Sequence, residues 1–427
     1  MFALKKNQTS LALEVCAGLS TFFAMVYVLA VNPIILSKAG LPPAAIFTAT
    51  AVGTIVATLI MAFYANLPFA VAPGMGLNAF FVVMVVQLHY TAAQALTAVL
   101  VAGILFVILS CSPLRKKFLD EVPQCLQLAV CSGIGLMLAY IGLLNSGVVV
   151  LSSSNTPALG DLSSGAPRLA VLGLLVLGLF LAAKFRYAVF ASVALSTGLG
   201  IPLGVTKLDA LKEGVFTWPP AITDLALNFD FSILGSGSFW ILVVTLVLMV
   251  AVDSLAGFLG LFTVMGQDAE VYRHKLGRAF IADSMGVVIG SCLGLSPNTT
   301  YAESGVGVAM GGRTGLTALT VALGFALAIF IAPLFLLVPA AAVTPALIFV
   351  GLLMMSSIKK VDFSDYSESF PIFLVLILIG LTWRISDSFA LGWLVYILMK
   401  VVKGRIRQIS TTVWVVGVLF AIKIFCL

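Results

Sequence analysis

The chain has 427 residues, of which 61% are hydrophobic and only 9% charged, whereas soluble domains carry about 25% charged residues. This composition excludes a water-soluble globular enzyme and leaves no stretch polar enough for a separate soluble domain. The net charge of +6 is compatible with an anionic partner, but loop topology in a membrane accounts for it more simply.

Apolar runs of about 20 residues recur from end to end, the pattern of transmembrane helices. The polar start, MFALKKNQTS, leads straight into the first run and does not read as a cleaved signal peptide. Fourteen spans are expected, near 13–37, 44–65, 68–87, 92–112, 123–150, 167–184, 187–206, 238–262, 276–294, 297–312, 315–338, 343–358, 369–385 and 387–402. A last apolar run, 411–427, carries Lys423 and fits either a span or an interfacial segment.

With the N-terminus inside, the even-numbered connections are cytoplasmic. They hold Arg115, Lys116, Lys117, Lys184, Arg186, Arg273, Lys275, Arg278, Arg313, Lys359 and Lys360, while Lys5, Lys6, Lys400, Lys403, Arg405 and Arg407 lie on the same side. Lys38, Arg168, Lys207, Lys212, Arg384 and Lys423 fall elsewhere. This positive-inside pattern predicts a multi-pass protein of the inner (plasma) membrane with a cytoplasmic N-terminus and cytoplasmic loops at 113–122, 184–187, 270–277 and 359–366.

Taken in order, Glu14 near the start of the first span is expected to face water or a loop, and Phe22, Phe23 and Tyr27 to be packing residues. The third span is broken at Ala72-Pro73, followed by GMGLNAF; the tenth is broken at Ser296-Pro297, followed by NTTYAES. AYIGLLNSG at 139–147 resembles IFVGLLMMS at 348–356, the fifth span of each half, and KFRYAVFASVAL and WRISDSFALGWLV also occupy equivalent places. Seven spans per half place the second copy in the opposite orientation, so an inverted repeat is expected. His89 and His274 are expected in loops, and the six cysteines lack metal-ligand spacing and read as small buried residues.

The stretch Phe280–Thr317 is apolar yet carries Asp283 and Glu303. A charged side chain at the bilayer centre costs roughly 2.5–3.5 kcal/mol on insertion scales, so an acid kept there is a functional candidate. Glu303 follows Pro297 where a broken span would resume as a helix, the geometry with which transporters hold substrates at mid-membrane. Asp283, with Arg278 shortly before it, is expected to make a structural hydrogen bond. Asp253 lies inside the eighth span, in MVAVDSLAGFLG. Walker A, GxSxG and HExxH motifs are absent, so uphill transport would draw on an ion gradient, and two embedded acids favour protons.

TTYAESGVGVAMGGRTGLTAL resembles the signature of the AzgA-like purine permeases, a branch of the nucleobase–cation symporters. LEVCAGLSTFFAMVYVLAVNPIILSKAG, ANLPFAVAPGMGLNAFF and PALIFVGLLMMSSIKKVDF resemble that family in the same order, so the likeness covers essentially the whole chain. It implies an all-α polytopic membrane protein with about 14 transmembrane spans in a 7+7 inverted repeat, whose third and tenth spans contain short extended segments. It also implies a core domain at 1–112 and 238–338, a gate domain at 113–206 and 339–427, and an extracytoplasmic connection at 207–237.

The resemblance further implies that Glu303 and Asn78 contact a purine and that Asp253 binds substrate or couples the proton. The Asp253-Ser254-Leu255-Ala256-Gly257 pattern departs from the family's Asp-Thr-x-Gly-Thr by a shifted glycine. Gly76, Phe80, Thr300 and Ser304 complete the expected substrate-binding set, with Asp253 and Glu303 as the proton-coupling pair. The expected partners are a purine nucleobase, protons and the lipid bilayer, without nucleic acid or cofactor, and a homodimer stays open. GMGLNAFF leans towards guanine and hypoxanthine over adenine. A xanthine or uracil transporter, an anion transporter of the same fold, and a membrane receptor that binds base without moving it are the alternatives.

Overall fold

The computed structural model describes residues 2, 4, 7–112, 123–152, 156–185, 188–208, 214–265, 269–301, 303–355, 358–359, 361, 363–382 and 385–426. The first half contains helices α1 (Leu11–Met25), α2 (Val28–Leu36), α3 (Pro43–Ile60), α4 (Met75–Val86), α5 (Ala92–Cys111), α6 (Gln124–Asn145), α7 (Gly165–Ala182) and α8 (Ala188–Gly200). Strand β1 (Val71–Pro73) precedes α4, and β2 (Val149–Leu151) pairs with β3 (Pro157–Leu159) in an exposed hairpin after α6. The second half contains α9 (Gly237–Met265), α10 (Ala269–Cys292), β4 (Asn298–Thr300), α11 (Ser304–Ala309), α12 (Gly315–Ala328), α13 (Ala332–Leu336), α14 (Ala340–Met355), α15 (Tyr366–Thr382), α16 (Ile385–Val402) and α17 (Thr411–Cys426).

Seven helical stretches among the described residues are long and apolar enough to cross a membrane, beginning with Leu11–Ala39 and ending with Gly315–Phe335. The helix ends carry ordinary signals. Pro43 opens α3, where its missing N–H costs nothing. Thr91 and Gln94 form a reciprocal capping box on α5. Asp365 accepts from the Ser367 amide at the start of α15.

The helices pack in two groups. In one, α1 lies against α11 and α12, α3 against α10 and α12, and α5 against α9 and α10. In the other, α6 lies against α14 and α15, α14 against α7 and α8, and α16 against α15 and α17. The groups meet where α4 touches α6 and α2 touches α14. At this boundary the Lys38 amine donates to the Asn145 side-chain oxygen.

Three local expectations change. The first span is interrupted at Val26-Tyr27, where Leu29 N bonds to Val26 O and Ala30 N to Tyr27 O in tightened turns. Pro33 inside α2 has no amide to offer the preceding turn, which loosens the helix on that side. Helix α10 begins at Ala269, so the expected loop at 270–277 is helical and His274 lies on a helix, whereas His89 does lie in a loop. The expected loop at 113–122 lies outside the described residues.

Candidate functional site

The two proline-broken spans meet at an antiparallel pair of short strands. Val71 lies opposite Thr300, Ala72 opposite Thr299 and Pro73 opposite Asn298. Pro73 and Pro297 interrupt helical pairing, and in a bilayer every backbone group so released needs a partner inside the protein. They find one: Tyr301 N bonds to Ala70 O at 2.9 Å and Gly74 N to Pro297 O at 3.1 Å. Ala70 N bonds to the Ser304 hydroxyl at 3.0 Å, and the Thr58 hydroxyl both accepts from Val71 N and donates to Val71 O. The Tyr301 phenol donates to Pro73 O at 2.6 Å. Because the strands are antiparallel, α4 and α11 leave the crossing in opposite directions and start at the same central point. α4 thereby brings the positive end of its dipole to that point.

Asn78 sits in the first turn of α4 and is fully buried. Its amide donates to Asn32 on α2, its side-chain oxygen accepts from the Ser296 hydroxyl, and Asn32 in turn donates to Thr50 on α3 at 2.6 Å. This polar chain ties three first-half helices to the loop before β4. Ser304 and Thr300 are likewise engaged within the crossing, Ser304 with Ala70 N and Thr300 as a donor to Asp283 at 2.8 Å. Phe80 and Gly76 are buried on α4.

The embedded acids divide into two kinds. Asp283 and Glu14 are completely enclosed, with relative exposures of 0%. Asp283 accepts from the Ser254 hydroxyl of α9 and from Thr300, which is the structural hydrogen bonding expected of it. Glu14 departs from expectation. Instead of facing water or a loop, it accepts from the amides of Arg313, Thr314 and Thr317 and from the Thr317 hydroxyl. It thus fills the N-terminal end of α12, where a carboxylate meets unpaired amides and the positive end of the helix dipole. Arg313 completes the join by donating its guanidinium to Val308 O and Gly312 O at the end of α11.

Glu303 and Asp253, by contrast, are only half-buried. Glu303 stands immediately before α11 and accepts from the Tyr27 phenol at 2.5 Å. Asp253 projects from α9 beside Thr299 of β4. Tyr301 lies within electrostatic reach of both acids, and Asp253 within reach of Asp283. Both polar atoms of the Asn298 side chain are buried without a hydrogen-bond partner among the described residues. The crossing therefore gathers two half-buried carboxylates, two phenols and the Thr299 hydroxyl beside Asp253. Such a set offers acceptors to an N–H-bearing ligand and protonation sites to a proton. Among the described residues no three histidine, cysteine, aspartate or glutamate side chains cluster as metal ligands do.

Tyr27, expected to be a packing residue, and Glu14, expected to face water or a loop, both take polar partners instead. Both lie in the first span, and their partners lie in the second half of the chain, at separations of 276 and 303 residues. An aromatic in an apolar run carries no local mark of a polar assignment. For Glu14, the signal available was its register one turn into a long apolar run.

The sequence model of the xanthine/uracil permeases, described as Permease family, matches residues 13–391. The chain is 39% identical to the guanine/hypoxanthine permease PbuO of Bacillus subtilis over the full length of both proteins. It is 35% identical to the adenine permease AdeP of Escherichia coli, covering 99% of this chain and 95% of that protein. Among solved structures, the transmembrane domain of a cyanobacterial bicarbonate transporter, BicA, superposes with a TM-score of 0.61 at 15% identity, covering 87% of this chain and 96% of that one. The murine Solute Carrier 26 member A9, an anion transporter in the inward-facing state, gives 0.64 at 14% identity over 92% of this chain and 68% of that one. These two likenesses show a shared fold. Taken with the match over residues 13–391, the full-length likeness to permeases establishes that this chain is a membrane transport protein, not an enzyme, and belongs to the xanthine/uracil permease family.

Proposed function

We propose that the protein is a proton-coupled secondary transporter that imports purine nucleobases, guanine and hypoxanthine or adenine, across the inner membrane by alternating access. The observation that carries this reading is the pair of half-buried carboxylates, Glu303 and Asp253, at the crossing of two broken spans. Purine edges present N–H donors, and ionised carboxylates are the strongest acceptors for them. The same groups are the natural carriers of a coupled proton, with Asp253 and Glu303 in that role. The likeness to the guanine/hypoxanthine permease PbuO and the adenine permease AdeP supports purines as the substrate class, and the higher identity to PbuO supports guanine and hypoxanthine.

In this reading fourteen spans form a 7+7 inverted repeat. Residues 1–112 and 238–338 form the core that carries the base, and 113–206 and 339–427 form the gate against which it moves. The two packing groups of helices support that division. Gly76, Asn78, Phe80, Thr300 and Ser304 shape and hold the site around the two acids. An anion substrate of the kind carried by the structural neighbours is disfavoured, because two ionised carboxylates would repel it.

The test is uptake of radiolabelled guanine, hypoxanthine and adenine by cells lacking their own purine permeases, with a panel of unlabelled bases as competitors. Competition by purines and not by uracil is expected. Accumulation should collapse with a protonophore and survive replacement of sodium by choline. Undiminished accumulation without a proton gradient would overturn the coupling, and competition by uracil or bicarbonate alone would overturn the substrate class.

A further inference from the structure

We propose that Tyr27 is a positioning residue of the purine site, holding the Glu303 carboxylate in the orientation that receives the substrate. The inference rests on Glu303 being a substrate contact, as proposed above. Tyr27 stands at the interruption between α1 and α2, level with the interruption that precedes α11, and α1 packs directly against α11. Its side chain is 3% exposed. A phenol enclosed at that depth needs a partner, and Glu303 is the one it has among the described residues. A purely packing aromatic at this place would be met equally well by phenylalanine, as at Phe22, whose ring stacks edge-on against Phe325.

The geometry assigns the acceptor sites of the carboxylate different tasks. A carboxylate offers about four lone-pair sites. Tyr27 occupies one of them on Oε1, at 2.5 Å. The residue's own backbone amide takes another, and the sites that remain are left for N–H donors of a base. A free glutamate side chain populates many rotamers, and fixing it on binding costs conformational entropy that weakens affinity. The phenol has only two side-chain torsions and is itself enclosed, so it fixes the carboxylate before the base arrives. Because Tyr27 belongs to the first half of the chain and Glu303 to the second, the bond also ties the start of α11 to the α1–α2 interruption. Loss of the phenol should therefore raise the concentration of base needed for half-maximal transport, leaving the transport rate at saturation largely intact.

The experiment is a double-mutant cycle with Tyr27→Phe, Glu303→Gln and the double variant. It is read by binding of radiolabelled guanine and hypoxanthine to purified protein and by KM and Vmax of uptake. Tyr27→Phe should raise Kd and KM about tenfold, the usual consequence of losing one hydrogen bond to a charged group. Vmax should stay within about twofold, and the double variant should bind no more weakly than Glu303→Gln alone. Wild-type KM in Tyr27→Phe would overturn the proposal, as would additive losses in the double variant, which would mean that the phenol acts on something other than Glu303. Wild-type binding by Glu303→Gln would instead remove the site itself. If Tyr27→Phe does not accumulate in the membrane, Tyr27→His replaces it in the cycle. It retains a ring N–H donor at a different reach, so an unchanged KM there would count against positioning by the phenol, and a raised KM that is non-additive with Glu303→Gln would support it.

Discussion

Glu14 accepts the Thr317 hydroxyl at 2.6 Å, although 303 residues separate them in sequence. With the amides of Arg313, Thr314 and Thr317 on the same carboxylate, this one side chain closes the N-terminal end of α12 from the opposite half of the molecule. Gly315, just beyond, lies so close to the turn after α3 that an added Cβ would come within 2.0 Å of Ala62 O, and its amide bonds to Asn66. Glycine is needed there because the backbones touch.

Glu14→Gln keeps one acceptor but turns an N–H₂ group towards donors, which costs about 1–3 kcal/mol for a buried mispairing. The expected outcome is a lower melting temperature in detergent and less protein in the membrane, with an unchanged KM in what remains. A raised KM at full stability would mean that Glu14 belongs to the substrate path.

Lys403 and Arg405 each reach Asp365 at 2.6 Å, beside the start of α15. The Lys403 hydrogen bond first, then Ser367 and Arg405, hold the Asp365 carboxyl well below the ordinary carboxylate range. A depressed folded-state pKa contributes stability that is complete above the unfolded value of about 3.9 and is lost as pH falls through the folded one. Wild type and Asp365→Asn should therefore melt apart by a constant interval between pH 5 and 8 and converge only below about pH 4. The cluster is open to water, so the interval should also shrink in high salt. Melting curves across pH 3–8 at two ionic strengths check both, and convergence near pH 6 would show that some other group sets the difference.

Where sequence and structure agree, the cause is local. Pro73 and Pro297 each break a span through their own chemistry, so two extended segments could be placed before their pairing was known. Asp283, expected to make a structural hydrogen bond from its place at the start of a span with Arg278 shortly before it, does so, although its partners Ser254 and Thr300 lie 29 and 17 residues away. Where the reading fell short, the cause is distance along the chain. The α1–α2 interruption has neither proline nor glycine at Val26-Tyr27, and what Tyr27 meets there lies 276 residues away. The Asn32–Asn78–Ser296 chain was equally invisible, since an asparagine in a motif does not say whether its amide faces a ligand or another asparagine.

Membrane orientation has a direct test. Lys38, in the turn after α2, donates to Asn145 at the end of α6, which puts those two helix ends on one side. Lys359, Lys403 and Arg405 belong to the opposite side if the basic residues follow the positive-inside rule. A membrane-impermeant maleimide applied to intact cells should label Lys38→Cys and leave Lys359→Cys and Lys403→Cys untouched until the membrane is opened. The reverse pattern would invert the topology.

The half-buried and enclosed acids should fail differently when neutralised. In Glu303→Gln and Asp253→Asn, an acceptor proposed to face the base is replaced by an amide that offers a donor in its place. A mispaired buried donor costs roughly 1–3 kcal/mol, about tenfold to a hundredfold in affinity. Both variants should reach the membrane, because an uncharged side chain is easier to insert than an acid. Asp283→Asn differs, since both Asp283 oxygens already receive hydroxyls from Ser254 and Thr300. The hydroxyls can turn to accept from the new amide, but one charge-assisted bond is exchanged for a neutral one. That variant should melt lower and accumulate less while keeping purine affinity within about threefold, a loss of under 1 kcal/mol. Calorimetric purine affinities set beside detergent melting temperatures for all three variants separate the two patterns. Wild-type affinity in Glu303→Gln would remove the substrate site from the crossing. A hundredfold loss in Asp283→Asn at unchanged melting temperature would move the site to the enclosed acid behind β4.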